Sequence, residues 1–263
     1  MYKRQGEVVR FEQDFETNVQ GIYPFVVGGI EGVEDNRIHL SERHDKYTQA
    51  GWDVKLMDDV LDGDWSVKIN GLTQRSKLAY QTIPQNFRFE PGVTYKVSFD
   101  YQAGSDDTYG VVVGAGEYTG ATNLETLKKS LGTTAHYERE IVGDITGQTW
   151  FGIYSTSTAP DLQGVNSSSA QANFGGYKEL VLDNLVIEKV EQNITIDTLK
   201  DLIATAEGYN KEDYTAADWK KLDDALTKAK VAVNRDKTSA DEIESAYYAL
   251  NGACLLYTSD AAD

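Results

Sequence analysis

The chain has 263 residues, 40% of them hydrophobic, enough for one large domain or a medium one beside a small one. Its 25 basic and 42 acidic residues give a net charge of −17, which argues against nucleic acid and anionic membrane surfaces as partners. No apolar run approaches the roughly 18–20 residues of a membrane-spanning helix, so no membrane insertion is expected, and the single cysteine, Cys254, excludes a disulfide framework and a cysteine-ligated zinc site.

The two ends read unlike the rest. Residues 254–263, CLLYTSDAAD, match the translation of an adapter used in transposase-based sequencing libraries. Residues 1–5, MYKRQ, fit the reverse complement of that adapter with GTG read as a start. Both are expected to be cloning artefacts rather than parts of the fold. On that expectation the natural segment is 6–253, it has no cysteine, and Met1 says nothing about a signal peptide. Setting aside Lys3, Arg4, Asp260 and Asp263 removes two charges of each sign and leaves the balance unchanged.

From about 7 to 190 the pattern is β. Tyr95, Val97, Phe99 and Tyr101 alternate with Lys96, Ser98 and Asp100, the period of a half-buried strand. Segments 8–11, 23–27, 65–69, 78–83, 109–113, 137–142, 150–154 and 180–190 are further predicted strands. Clusters of Gly, Asn and Asp at 28–29, 62–64, 70–71, 91–92, 104–107 and 175–176 punctuate them. Many short strands with turn chemistry between them predict a sandwich or barrel. Two stretches lack a strand pattern: 31–64, rich in Asp, Glu, Arg and His, and 159–173, rich in Ser, Gln and Asn. Loops of that length in a compact domain are usually functional or disordered.

From about 195 the period changes. Ile196, Leu199, Leu202, Ile203 and Ala206 fall on one helical face. Thr215 opens a second helix with the stripe Trp219, Leu222, Leu226 and Ala229. Ser239 and Glu242 form a capping box that opens a third, through Ile243, Ala246 and Leu250. Three short antiparallel helices predict a small bundle. The expected division is a β domain over 6–192 and a helical one over 193–253.

The β region carries, in order, GIYPFVVGG, EGVEDNRIHLSERHDKYTQAGW, DDVLDGDWSVKINGL, AYQTIPQNFRFEPGVTYKVSFDYQAGSDDTY, WFGIYST and VLDNLVIE. Over roughly residues 7–190 this resembles the galactose-binding-like β-sandwich that follows the catalytic barrel in bacterial endo-α-N-acetylgalactosaminidases. The resemblance implies a mainly β protein: a jelly-roll-type β-sandwich followed by a small three-helix bundle. In that family a separate barrel removes the Galβ1-3GalNAc disaccharide from Ser/Thr of mucin-type glycoproteins, with retention. Its nucleophile and acid lie in the barrel, so no catalytic residue is carried over. The implied role is a non-catalytic accessory fragment, extracellular or at the cell surface. Its implied partners are a mucin-type glycan or the neighbouring catalytic domain, and a sandwich that only buttresses and spaces the barrel is the alternative. In the helical region Tyr214-Thr215, Trp219, Ala225-Leu226, Ala229, Ala246 and Leu250 resemble a FIVAR-type repeat of large Gram-positive surface proteins, which implies a spacer or adhesion-associated module.

Three constellations are candidates for chemistry. The acids of Asp14-Phe15-Glu16-Thr17 and Leu182-Asp183-Asn184-Leu185 bracket the β region and could read as a glycosidase pair. Nothing else in the chain resembles a sugar-hydrolysing barrel, which disfavours that reading. They also look like the two ends of calcium-holding carbohydrate-binding sandwiches, where such a Glu and Asp share one Ca²⁺ with backbone carbonyls. Calcium takes six to eight hard oxygens. Asp183 shares strand parity with Leu185 and Ile187, and a carboxylate on an apolar stripe needs a partner or a metal. Glu16 and Asp183 are therefore predicted calcium ligands, with a polar cap or salt bridge as the alternative. Asp58, Asp59, Asp62 and Asp64 lack EF-hand spacing. Asp62-Gly63-Asp64 reads as a hairpin turn, with Asp64 as a third candidate contributor to the calcium site. Trp52 and Tyr47, beside Arg37, His39 and His44, have the composition of a sugar-stacking platform; the alternative is that Trp52 plugs a sandwich edge or docks on a neighbouring domain. Trp65 and Trp150 are expected in the core. His39, His44 and His136 show no zinc spacing, and Gly114-Ala115-Gly116 lacks the rest of a phosphate loop.

Overall fold

The computed structural model describes residues 10–17, 38–42, 60–69, 78–82, 87–104, 106–107, 109–116, 122–130, 132–155 and 180–255. Their strands are β1 Arg10–Gln13, β2 Ile38–Glu42, β3 Trp65–Ile69, β4 Leu78–Gln81, β5 Thr94–Ala103, β6 Tyr109–Ala115, β7 Thr122–Thr126, β8 Ala135–Val142, β9 Thr149–Ser155 and β10 Leu180–Lys189. Three helices follow: α1 Ile196–Glu207, α2 Ala216–Asn234 and α3 Ala240–Cys254, with a short 3₁₀ turn at Lys211–Asp213.

The strands form two antiparallel sheets. One runs β2-β3-β10-β5-β8 with β1 beside β10; the other runs β4-β9-β6-β7. The alternation read in β5 builds the interior between them. Val97, Phe99 and Tyr101 face Tyr109, Val111, Phe151 and Ile153 from the opposite sheet in one apolar cluster. The Phe99 ring stacks on Tyr137 at 4.8 Å and lies 6.1 Å from Phe151. Fully burying side chains of this size contributes about 1.5–3 kcal/mol each, which is why β5 and β10 occupy the middle of their sheet.

Two strands depart from the sequence reading. β2 lies inside the stretch 31–64 that reads as strandless. Its Ile38, Leu40 and Glu42 pair with Ile69, Val67 and Trp65 of β3. β7, Thr122–Thr126, is a polar edge strand on β6; edge strands are often short and polar because one side faces no partner. The predicted strand at 23–27 lies outside the described residues.

The helices follow their local signals. Thr198 N–H donates to the Thr195 side chain at 3.2 Å and Thr195 N–H to Thr198 Oγ1 at 2.8 Å, a reciprocal box. Ser239 and Glu242 form the predicted one. Leu199, Ile203, Leu222, Ala225, Ala229 and Leu250 make a separate small core. No helix among the described residues is long and apolar enough to cross a membrane.

A carboxylate seam where three strands meet

One edge of β10 is shared between two strands. β3 pairs with residues 180–182 and β1 with 185–188. The junction falls on Asp183 and Asn184, so the ends of β1 and β3 meet beside these two residues. At the same point the register against β5 slips: Asp183 sits opposite Asp100 and Val186 opposite Ser98, so Asn184 and Leu185 together oppose Phe99. This is a β-bulge, and Asn184 takes the left-handed conformation it requires, with φ 49°.

The bulge overturns the parity argument for Asp183. Leu182 lies opposite Tyr101, a core residue, and Asp183 opposite Asp100, on the other face. Beyond the bulge Leu185 and Ile187 return to the core. Asp183 therefore does not share a stripe with them. It is still only 1% exposed, because the segment leading into β3 covers it.

That segment is held by donors. Asp62 N–H donates to Asp183 Oδ2 at 3.2 Å, the Ser66 hydroxyl bonds to the same oxygen, and Asn184 N–H donates to Oδ1 at 2.8 Å. Ser66 is itself buried. From β1 the chain turns at Phe15, which has φ 62° and is buried in the core. A bulky residue at positive φ is an outlier costing on the order of 1–3 kcal/mol. Phe15 N–H donates to Gln13 Oε1 at 2.8 Å and Glu16 N–H to Asp14 Oδ1 at 3.2 Å. The turn sends the Phe15 ring inward and Glu16 toward β3. There Glu16 Oε1 accepts from Asp64 N–H at 2.9 Å and Trp65 N–H at 3.0 Å, and Oε2 from Asp64 N–H at 3.0 Å. Gly63 has φ 57°, and a Cβ there would overlap the Glu16 carboxylate. Asp62-Gly63-Asp64 is thus not a hairpin turn joining two described strands; it leads into β3 and presents amides to two carboxylates. Asp64 contributes through its N–H, and its side chain is exposed.

The charge here is one-sided. Asn184 Nδ2 bridges Asp62 Oδ2 at 3.4 Å and Asp100 Oδ2 at 3.0 Å, and His136 Nδ1 lies 2.7 Å from Asp100 Oδ1. Neither Lys nor Arg pairs with Glu16, Asp62 or Asp183 among the described residues. Burial pushes the Asp183 carboxyl from 3.8 up to about 6, against the lowering effect of its hydrogen bonds from Ser66, Asn184 and Asp62.

Whether a cation suits this site can be judged from lone pairs. A carboxylate offers about four acceptor positions. The hydrogen bonds above fill three on Glu16 and three on Asp183, leaving one at Glu16 Oε2 and one at Asp183 Oδ1. No three His, Cys, Asp or Glu side chains gather to hold a metal among the described residues, so a calcium ion would rely on backbone carbonyls as well. The uncompensated charge suits such an ion, whose oxygens would have to come from these two open positions and from the backbone.

The other sequence candidates separate. His39 lies in β2, in register with Lys68 of β3. Arg37, His44, Tyr47, Trp52, Asp58 and Asp59 lie outside the described residues. Trp65 packs against the core as expected. Trp150 is buried but is not part of that core. It pairs with Gly114 across β6 and β9, on the opposite face from Phe151 and Ile153. Its indole lies over Gly114, where a Cβ would sit 2.5 Å from the ring. Sequence reasoning missed Ser66 and Asn184. A signal existed for the second, since Asn after Asp tolerates left-handed backbone and marks a bulge in a strand.

A family model described as galactose-binding domain-like matches residues 1–176. A protein of Renibacterium salmoninarum, named as a candidate endo-alpha-N-acetylgalactosaminidase, is 28% identical over 179 residues, covering 67% of this chain and 10% of its own length. The chain thus spans about a tenth of that relative. Similar solved structures include the tandem CBM22-1-CBM22-2 domain of Paenibacillus barcinonensis Xyn10C, with TM-score 0.41, 9% identity and coverage of 69% of this chain and 44% of that one. The K1 cleaved adhesin domain of Lys-gingipain from Porphyromonas gingivalis matches with TM-score 0.40 and 12% identity over 69% of this chain and 99% of its own. Both scores lie below 0.5.

Proposed function

Since the chain belongs to the galactose-binding domain-like family, we propose that it is an accessory, non-catalytic part of an extracellular endo-α-N-acetylgalactosaminidase, and that its sandwich binds mucin-type O-glycans. The observation that carries the reading is the 28% identity to the R. salmoninarum protein over 179 residues. The seam agrees with it: Glu16 and Asp183, the pair that could read as catalytic, spend most of their acceptor positions holding the entry to β3. A glycan array with this chain tests it. Signal on galactose- or GalNAc-terminated glycans is expected, and a blank array sinks the binding role. An aryl Galβ1-3GalNAc substrate should release no disaccharide.

One observation favours a second reading, in which the sandwich buttresses a catalytic barrel and binds no sugar. Among the described residues the one large exposed hydrophobic side chain is Val231, on α2. The outer face of the larger sheet instead carries ion pairs, Lys96 with Glu138 and Glu188, and Arg10 with Glu188.

A calcium ion belongs to the same proposal, shared by Glu16, Asp183 and a backbone oxygen near Asp64. Its role would be to neutralise the seam and lock β1, β3 and β10 together. Chelator is expected to lower the melting temperature of the sandwich, and Asp183→Ala to remove the difference. An unchanged melting curve with chelator refutes the ion. The helical unit is proposed as a FIVAR-like spacer.

A further inference from the structure

We infer that the helical unit is clamped to the sandwich as one rigid body, through a surface on the sandwich built to receive α3. The clamp is independent of the glycan reading and holds whether or not the sandwich binds sugar.

The receiving surface is the tight turn before β5 together with the end of β8. Gly92 has φ 74°, and a Cβ there would overlap the Tyr248 carbonyl of α3. From the other side, a Cβ at Gly252 would sit 2.9 Å from Gly92 N. The two backbones are therefore in direct contact, and only glycine at both places allows it. Asn251 Nδ2 donates to Gly92 O at 2.8 Å. Gly92 N–H donates to Gly143 O at 2.7 Å, and Gly143 N–H to Val93 O at 3.0 Å. A continuous run of hydrogen bonds thus passes from α3 into the loops flanking β5 and β8.

Each unit also lends a side chain to the other. Tyr248 of α3 packs against the sandwich core, with Lys189 Nζ of β10 5.6 Å from its ring centre. Ile145, after β8, packs against the helical core. The connecting segment is pinned as well. Val190 N–H donates to Thr94 O at 2.9 Å and Gln192 Nε2 to Thr94 Oγ1 at 3.1 Å. A flexible spacer needs neither a paired linker nor shared cores. Fixed by backbone contact, shared packing and a tied linker, the helical unit acts as a strut rather than a hinge.

Residual dipolar couplings of the ¹⁵N-labelled chain test this. Amides of β5, β8, α1, α2 and α3 are expected to fit a single alignment tensor. In Gly252→Leu the added side chain has no room against Gly92, and the helical and sandwich amides should then need two tensors while the sandwich shifts stay in place. If that variant fails to fold, the pair Asn251→Ala and Tyr248→Ala removes the bond and the ring without adding bulk, and the same separation is expected. Two tensors in the unaltered chain, or one tensor in the folded variant, overturns the clamp.

Discussion

The sandwich and the helical unit satisfy their polar groups over very different distances. In the helices the partners are three residues apart: Thr195 with Thr198, and Ser239 with Glu242. In the sandwich Glu16 reaches Asp64 across 48 positions and Asp183 reaches Asp62 across 121. A local cap serves one helix end and can be lost without consequence elsewhere. The seam joins β1, β3 and β10 at one point, so a single side chain there supports three strands. Damage to the two regions should therefore differ in size and in reach.

The largest effect is expected at Asp183. Asp183→Ala leaves Asp62 N–H, Asn184 N–H and the Ser66 hydroxyl without their acceptor; the buried Ser66 hydroxyl costs about 1–3 kcal/mol unpaired, and the two part-buried amides less each. Relief from burying the carboxylate offsets part of this. Urea unfolding should show a loss of several kcal/mol in the sandwich transition, with hydrogen exchange accelerating in β1 and β3 together. Exchange that quickens in β10 alone would mean that the seam does not couple the strands.

A smaller loss is expected for Gly63→Ala, which meets both a positive φ and the Glu16 carboxylate. The strained backbone alone costs on the order of 1–3 kcal/mol. Since Glu16 must move to admit the methyl, protection of the Asp64 and Trp65 amides should fall before that of Asp62. Equal loss at all three would place Glu16 and Asp183 in one inseparable unit.

Much of this contrast is written in the sequence, but unevenly. The helix stripes and the Ser239 box are local, and each is visible within four residues. The alternation of β5 and the strand at 65–69 are visible because their apolar face is buried regardless of what pairs with them. The parity of Asp183 is not visible. It depends on a bulge, and the bulge lies where β1 and β3, 52 positions apart at Gln13 and Trp65, both end against β10. β2 and β7 are hidden for a related reason, since such short strands draw their stability from the ladder beside them rather than from their own residues. Glu16 and Asp183 could be picked out as a pair, but not the amides they hold, because those come from a loop whose path is set by the fold.

A smaller effect, and the one that sharpens the seam most, is with pH. The Asp183 carboxyl is raised from 3.8 to about 6 in the folded chain. The native state thus binds more protons than the unfolded one between those values, and stability from this group falls as pH rises from 4 to 6 and stays lowered above that. In calcium-free buffer the chain should gain stability on acidification from pH 7 to 5, and Asp183→Asn should flatten that gain. A bound calcium ion favours the ionised form. Adding calcium should then raise stability at pH 7 more than at pH 5 and remove or reverse the slope. A slope that calcium leaves untouched would make the seam a hydrogen-bonded latch with no ion in it. As the local counterpart, Ser239→Ala should cost about 1 kcal/mol of helical stability, with no change in the pH slope of the sandwich. If that slope also shifted, the helical unit would be acting on the seam through the Gly92 contact, and the contrast between local and long-range support would no longer divide the molecule in two.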